Sequence, residues 1–300
     1  MKEIFKSAVL AVAKRSALIR SVARFVTHNT STPSVARVRD TYAYLREKFI
    51  ANGKGHAIGD EQREEIVARF ERIDSEIEIG TSPTDGLFLA EMLLNMEADG
   101  EIIECGCFNG GSSAKISIIA HALGRKFTIY DSFEGLPEVD EEFLRDQHCR
   151  RSEEWITDWS SGRYAARLDQ VRANIAMYGE ASVASQVEGW FENTLTQENL
   201  PEKISFAFVD VDLANSARDC FVSIWPLLDD QGIFVTHDTA YIKVLQEFYR
   251  VELWRDKFKS IPPILFGAGF GLCNESPHIG YMVKGVNLTP DYLKRLTIDK

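Results

Sequence analysis

The chain has 300 residues, a hydrophobic content of 45% and a formal net charge of −11 at pH 7. This length fits one large domain with an appendage or two small domains, and the acidic balance argues against a nucleic acid as the main partner. No apolar run is long enough to span a bilayer. The five cysteines form no regular framework, which predicts reduced thiols and a cytoplasmic location.

The first 27 residues have the pattern of a helix whose basic side chains share one side, namely Lys2, Lys6, Arg20 and Arg24. Three interpretations stay open: an arm that covers an active site or joins subunits, a basic helix lying on an anionic membrane surface, or a transit-type leader. Residues 28–36 contain Thr, Ser and Pro and break the pattern. We therefore predict a basic amphipathic arm and linker over residues 1–36, and we expect a homo-oligomer.

Residues 37–100 are predicted to form a helical prelude that covers the substrate. Two helical patterns occupy residues 37–52 and 60–78. A third helix is predicted to begin at the capping sequence Thr81-Ser82-Pro83-Thr84-Asp85 and to end near Gly100.

From residue 101 to 300 the chain alternates strand and helix patterns, which predicts an α/β catalytic domain with helices on both faces of a mostly parallel sheet. The last two strands follow each other without a helix and are expected to pair as an antiparallel hairpin. Seven strands in this arrangement are the plan of the Rossmann-like class I methyltransferases, in which ligands bind at the carboxyl ends of the strands. Strands are predicted near residues 101–106, 126–132, 183–189, 204–210, 232–237, 262–273 and 278–284, and helices near 113–124, 163–178, 216–228 and 240–257.

The first predicted strand runs into a glycine turn with the pattern E-x-G-x-x-x-G-G-S, from Glu104 to Ser112. Glycines allow a ligand to approach the backbone closely, and the following helix N-terminus offers free N–H groups. The dinucleotide fingerprint and the phosphate loop are both absent. The carboxylate of Glu104 would repel a pyrophosphate but suit an ammonium group, which points to an amino-acid-bearing ligand such as S-adenosylmethionine.

Two further strand ends carry candidate ligand contacts. Asp131 lies about 25 residues past the glycine turn, where an acidic side chain suits ribose hydroxyls. Gly189 and Trp190 follow the third strand and are expected to flank an adenine. The acidic and aromatic insertion 134–161 is predicted to be a lid.

Carboxylates and an imidazole follow the fourth and fifth strands, at Asp210, Asp212, His237 and Asp238. Asp210, His237 and Asp238 offer one nitrogen and two oxygen ligands for Mg²⁺ or a transition metal. An ion held there would lower the pKa of a substrate hydroxyl, so that Asp212 could remove its proton as the base.

The ordered motifs resemble the metal-dependent O-methyltransferases typified by the macrocin, mycinamicin and novobiocin enzymes. The resemblance covers roughly residues 80–285 and is carried by Glu104-Cys105-Gly106, Gly110-Gly111-Ser112, Asp131-Ser132-Phe133-Glu134-Gly135-Leu136-Pro137, Gly189-Trp190-Phe191, Thr194-Leu195, Asp210-Val211-Asp212-Leu213 and His237-Asp238. It implies methyl transfer from S-adenosylmethionine to a hydroxyl of a small molecule, often a sugar of a glycosylated natural product. On this basis the cofactor site comprises Glu104, Gly106, Cys107, Phe108, Ser112, Asp131, Ser132, Gly189, Trp190 and Asp210. The resemblance likewise implies that Asp210, His237 and Asp238 hold Mg²⁺ or Mn²⁺ and that Asp212 is the base.

The chain departs from this family at two places. The family usually has Asp-Asp where this chain has His237-Asp238, and Tyr-Glu-Ser-Thr where it has Ala214-Asn215-Ser216-Ala217. The first change removes a negative charge from the metal site, which favours Mn²⁺ or a metal-independent reaction with His237 as the catalytic base. Another alternative is a catalytically altered member that serves as a binding or assembly module.

Overall fold

The computed structural model describes residues 35–139, 160–239, 241–267 and 279–286, with side chains from residue 42 onward. The predicted arm 1–27 and the central part of the predicted lid, residues 140–159, lie outside the described residues. From Tyr44 onward, the described elements belong to one compact unit. No helix among the described residues is long and apolar enough to cross a membrane.

Three helices precede the sheet, as predicted. They are α1 (Val35–Ala51), α2 (Asp60–Glu76) and α3 (Pro83–Asn95). The hydroxyl of Ser82 accepts a hydrogen bond from the Asp85 N–H, and the Asp85 carboxylate accepts one from the Ser82 N–H. This reciprocal capping box explains why α3 begins at Pro83. The helix ends at Asn95, several residues before the predicted Gly100.

The remaining elements alternate along the chain. The strands are β1 (Glu101–Cys105), β2 (Phe127–Asp131), β3 (Ala184–Glu188), β4 (Ile204–Val209), β5 (Leu228–Thr236) and β6 (Gly280–Val283). The helices are α4 (Gly111–Ala122), α5 (Leu168–Tyr178), α6 (Phe191–Thr194), α7 (Ala214–Ile224) and α8 (Ile242–Phe248), with a 3₁₀ turn at Trp225–Leu227 and a π-helical turn at Leu253–Phe258. The last predicted helix, 240–257, is therefore two shorter helical segments.

The described residues form a six-stranded sheet in the order β3-β2-β1-β4-β5-β6. Strands β1 to β5 pair in parallel, and β6 runs antiparallel to β5. The described residues thus form six strands where the sequence predicts seven. Of the predicted strand 262–273, the described part makes one antiparallel bridge, between Phe266 and Tyr281 of β6, and residues 268–273 lie outside the described residues.

The two faces of β1 meet different helices because successive side chains of a strand point in opposite directions. Ile103 and Cys105 belong to a buried cluster that contains Phe221 of α7 and Phe248 of α8. The intervening Glu104 is hydrogen-bonded to the start of α4. Helices α2 and α3 pack against α4, so these two helices lie on the α4 side of the sheet.

Candidate active site

A cavity of about 330 Å³ lies at the carboxyl ends of the parallel strands. Its volume falls in the range of small-molecule sites, roughly 300–1,000 Å³, and its position is where open α/β sheets bind ligands. All of the predicted site residues except Glu104 line it: Gly106, Cys107, Phe108, Ser112, Asp131, Ser132, Gly189, Trp190, Asp210, Asp212, His237 and Asp238.

The glycine turn after β1 is fixed by a close approach to the end of β4. Gly106 has φ +82°, and a Cβ at this position would lie 1.9 Å from the carbonyl oxygen of Asp210. Gly110, the residue that precedes α4, is also left-handed. Only glycine accommodates both the left-handed conformation and the close approach to Asp210 at position 106. The turn therefore presents backbone atoms without a side chain at the cavity wall.

Glu104 lies behind the cavity wall rather than in it. Its carboxylate is fully buried and accepts hydrogen bonds from the hydroxyls of Ser112, at 2.6 Å, and Ser113. Burial raises the pKa of Glu104 to about 8, although both serine hydrogen bonds oppose the shift. Ser112 itself lines the cavity, so in this structure Glu104 anchors the residue that faces the ligand space.

Asp131 at the end of β2 organises two neighbouring turns. One carboxylate oxygen accepts the N–H of Cys107, at 2.7 Å, and the other accepts the N–H of Phe133, also at 2.7 Å. The side chain therefore joins the glycine turn to the turn that follows β2. Each oxygen retains a lone pair that a hydroxyl at the cavity could use.

Three side chains converge where β4 and β5 end. One ligand-type atom each of Asp210, His237 and Asp238 lies within 4.8 Å of the others. The Nδ1 atom of His237 is 3.4 Å from the Asp210 carboxylate. Such a cluster of acidic and imidazole groups has the composition of a divalent-metal site.

His237 also contacts a carboxylate that the sequence interpretation treated only as part of a helix cap. Its Nε2 atom lies 3.5 Å from Oδ2 of Asp85, on α3 of the prelude. Burial alone would lower the pKa of His237, but the carboxylates of Asp210 and Asp85 raise it well above its ordinary value. The sequence did not predict this contact of Asp85, because a capping box gives no indication of what lies across the packing interface.

Asp238 is buried and supports the loop that follows β4. Its Oδ2 atom accepts the N–H groups of Val211, at 3.0 Å, and Asp212, at 2.9 Å. Burial raises the pKa of Asp238, and the carboxylates of Asp212 and Asp210 raise it further. Asp212 has φ +58°, a conformation that aspartate tolerates, and it lines the cavity beside this cluster.

Part of the remaining cavity wall comes from segments outside the recognised cofactor and metal motifs. The loop Glu78–Thr81 before α3 contributes from the prelude, and Tyr164 and Tyr241 contribute aromatic rings. The start of the predicted lid 134–161 pairs with residues just after it, since the N–H of Leu136 donates to the carbonyl of Arg163 at 2.8 Å. Apolar and aromatic surface thus faces the acidic cluster.

Comparison with known proteins identifies related sequences and structures. The family model described as Macrocin-O-methyltransferase (TylF) matches residues 87–262, more than half of the chain. The O-methyltransferase NovP is similar over 81% of this chain and 99% of its own, with 17% identity and a TM-score of 0.57. The calicheamicin methyltransferase CalS11 covers 82% of this chain and 92% of its own, with 16% identity and a TM-score of 0.47. No curated protein matches this chain. The likeness to NovP confirms the predicted methyltransferase fold.

Proposed function

Because the chain belongs to the macrocin-O-methyltransferase family and is an S-adenosylmethionine-dependent O-methyltransferase, we propose that its acceptor is a sugar hydroxyl of a glycosylated natural product. The observation that supports this most is that one cavity is lined by both the glycine turn and the acidic cluster after β4 and β5. A donor and a hydroxyl acceptor can meet there, and carboxylates and aromatic rings suit a polyhydroxylated ligand.

We propose that the donor lies against the glycine turn. Gly106 gives it access to the backbone, Asp131 accepts hydrogen bonds from its ribose, and Gly189 and Trp190 flank its adenine. Cys107, Phe108, Ser112, Ser132 and Asp210 complete the proposed contacts. S-adenosylmethionine supplies the methyl group, and the residues around it hold the donor and the acceptor in alignment, which is the main means of lowering the barrier for such a transfer.

The acidic cluster also fits a divalent ion. Two atoms bound to one ion at about 2.1 Å each lie roughly 3.0–3.4 Å apart, and Nδ1 of His237 is 3.4 Å from the Asp210 carboxylate. The raised pKa of Asp238 reflects negative charge crowded into a buried space, which a cation would relieve. We propose that Asp210, His237 and Asp238 hold Mg²⁺ or Mn²⁺.

The proposed proton acceptor is Asp212. When bound, the divalent ion supplies positive charge that lowers the pKa of the acceptor hydroxyl. Asp212 lines the cavity next to the cluster, and we propose that its carboxylate takes the hydroxyl proton as the methyl group is transferred. Asp238 holds the backbone of Asp212 in place through its hydrogen bond to that N–H.

A metal-independent reaction with His237 as the base has less support. The carboxylates on either side of the ring raise its pKa well above the usual value. A raised pKa favours the protonated ring, and an imidazolium cannot accept the hydroxyl proton.

The test is a transfer assay with labelled S-adenosylmethionine and a panel of glycosides, monitored by mass spectrometry. We expect one methylated glycoside, loss of product on chelation with EDTA, and recovery with Mn²⁺ or Mg²⁺. An Asp212→Asn variant is expected to bind donor normally but to lose most of kcat. Full activity in EDTA would remove the metal from the mechanism, and full activity of the variant would remove Asp212 as the base.

A further inference from the structure

We propose that Asp85 is the positioning residue that makes His237 a metal ligand. The inference rests on the metal role proposed for Asp210, His237 and Asp238, and it extends that site to a residue of the helical prelude. His237 lies between two carboxylates, with Nε2 at 3.5 Å from Asp85 and Nδ1 at 3.4 Å from Asp210.

The two ring nitrogens of a histidine have different tasks when the residue binds a metal. One nitrogen must present a lone pair to the ion, and the other then carries the proton and usually donates it to a carboxylate or carbonyl. The Asp85 carboxylate lies on the Nε2 side of His237 and favours the proton there. That tautomer leaves the Nδ1 lone pair directed towards Asp210 and the ion.

Asp85 is itself held in position independently of His237. Its side chain is fully buried, and its Oδ2 atom accepts hydrogen bonds from the N–H and the hydroxyl of Ser82, both at 2.9 Å. The capping box at the start of α3 therefore fixes the carboxylate before any ligand binds. A fixed supporting group of this kind sets the orientation of a metal ligand.

The presence of a histidine at position 237 agrees with the positioning role of Asp85. An aspartate at this position would bring a second carboxylate towards the buried carboxylate of Asp85, and like charges at short distance repel strongly when they are poorly hydrated. An imidazole instead carries an N–H towards Asp85 and a lone pair towards the ion. Asp85 and His237 thus form a matched pair across the interface between α3 and the end of β5.

The experiment is a calorimetric titration of metal-depleted, full-length protein with Mn²⁺. The Asp85→Asn variant retains an oxygen acceptor for Ser82 but loses the charge that favours the proton on Nε2 of His237. We expect it to bind Mn²⁺ about ten- to a hundred-fold more weakly than the wild type. The matched control is Glu91→Gln, which makes the same carboxylate-to-amide change on α3 and weakens the ion pair with Arg63. We expect its Mn²⁺ affinity to be unchanged.

A double-mutant cycle tests whether Asp85 acts through His237. In a His237→Asp background there is no imidazole to orient, so adding Asp85→Asn is expected to cause no further loss of Mn²⁺ affinity. If Asp85→Asn fails to fold by circular dichroism, Asp85→Ser removes the same charge while keeping a group that can hydrogen-bond to the cap, and the same loss is expected.

The outcomes separate this inference from the proposed function. If the wild type binds Mn²⁺ and Asp85→Asn binds it equally well, the positioning role is wrong and the metal site stands. An equal loss in Glu91→Gln, or a further loss in the His237→Asp background, also overturns the positioning role. If the wild type binds neither Mn²⁺ nor Mg²⁺, the metal role and this inference both fail, and the transfer assay alone decides the acceptor.

Discussion

The backbone of Gly106 lies so close to Asp210 that a Cβ added at Gly106 would be 1.9 Å from the carbonyl oxygen of Asp210. This close approach joins the glycine turn after β1 to the acidic cluster after β4, and the N–H of Asp210 donates to the carbonyl of Cys105 at 2.9 Å. The proposed donor side and the proposed metal side of the cavity therefore share one backbone junction.

A Gly106→Ala substitution is expected to destabilise the protein and to weaken donor binding. The added methyl group must displace the β4 end, and the residue must also keep φ +82°, so we expect a loss of about 3 kcal/mol in the free energy of unfolding. Gly124→Ala is the matched control, since Gly124 has φ +64° but nothing within 4 Å of its Cβ position. For Gly124→Ala, urea unfolding should show a loss of only about 1 kcal/mol in the free energy of unfolding. Equal losses in the two variants would exclude the backbone clash as the cause.

Asp131→Asn is expected to lower the affinity for S-adenosylhomocysteine. The variant removes the charge from the carboxylate proposed to accept hydrogen bonds from the ribose hydroxyls, and hydrogen bonds to charged groups contribute about 1.5–3 kcal/mol, so the affinity should fall roughly tenfold or more. Glu188→Gln provides the control. Glu188 lies opposite Asp131 on the neighbouring strand β3, and its side chain is exposed. Calorimetry that gives equal affinities for the Asp131→Asn variant and the wild type would rule out a contact with the donor.

Asp210→Asn is expected to weaken Mn²⁺ binding by at least about tenfold, because hard divalent ions depend on charged oxygen ligands. Asp219→Asn makes the same change on α7, where Asp219 is paired with Arg218 at 3.1 Å, and should bind Mn²⁺ as the wild type does. Electron paramagnetic resonance of bound Mn²⁺ can follow both variants. Retention of the bound signal in Asp210→Asn would exclude Asp210 from the ligand set.

Glu104 should make stability fall as pH rises. Its pKa is raised from 4.5 to about 8 in the folded protein, so between these values the unfolded chain has lost the proton that the folded chain retains. The contribution of Glu104 to the free energy of unfolding is fully present below pH 4.5 and is lost as the pH approaches 8.

The test compares urea unfolding of the wild type and of Glu104→Gln at pH 6 and pH 8.5. The glutamine removes this titration, so the variant should lose less stability over that range than the wild type. Identical pH dependence in the two proteins would mean that Glu104 is ionised throughout and that the buried carboxyl is charged at neutral pH.

The strand-end residues could be predicted because parallel strands that alternate with helices place their carboxyl ends along one edge. That rule alone brings Asp131, Asp210 and His237 to one cavity. It does not predict the contact of Asp85 with His237, which depends on how the prelude helices pack against α4. Nor does it predict that Ser112 and Ser113 donate hydrogen bonds to the buried carboxylate of Glu104, because those bonds depend on where α4 begins.

Calorimetry with S-adenosylhomocysteine on the full-length protein tests the assignment of this cavity most directly. A donor site built on Gly106 and Asp131 should give saturable one-to-one binding, and that binding should weaken in Asp131→Asn but not in Glu188→Gln. No heat of binding at near-millimolar ligand would contradict the donor site and, with it, the proposed reaction.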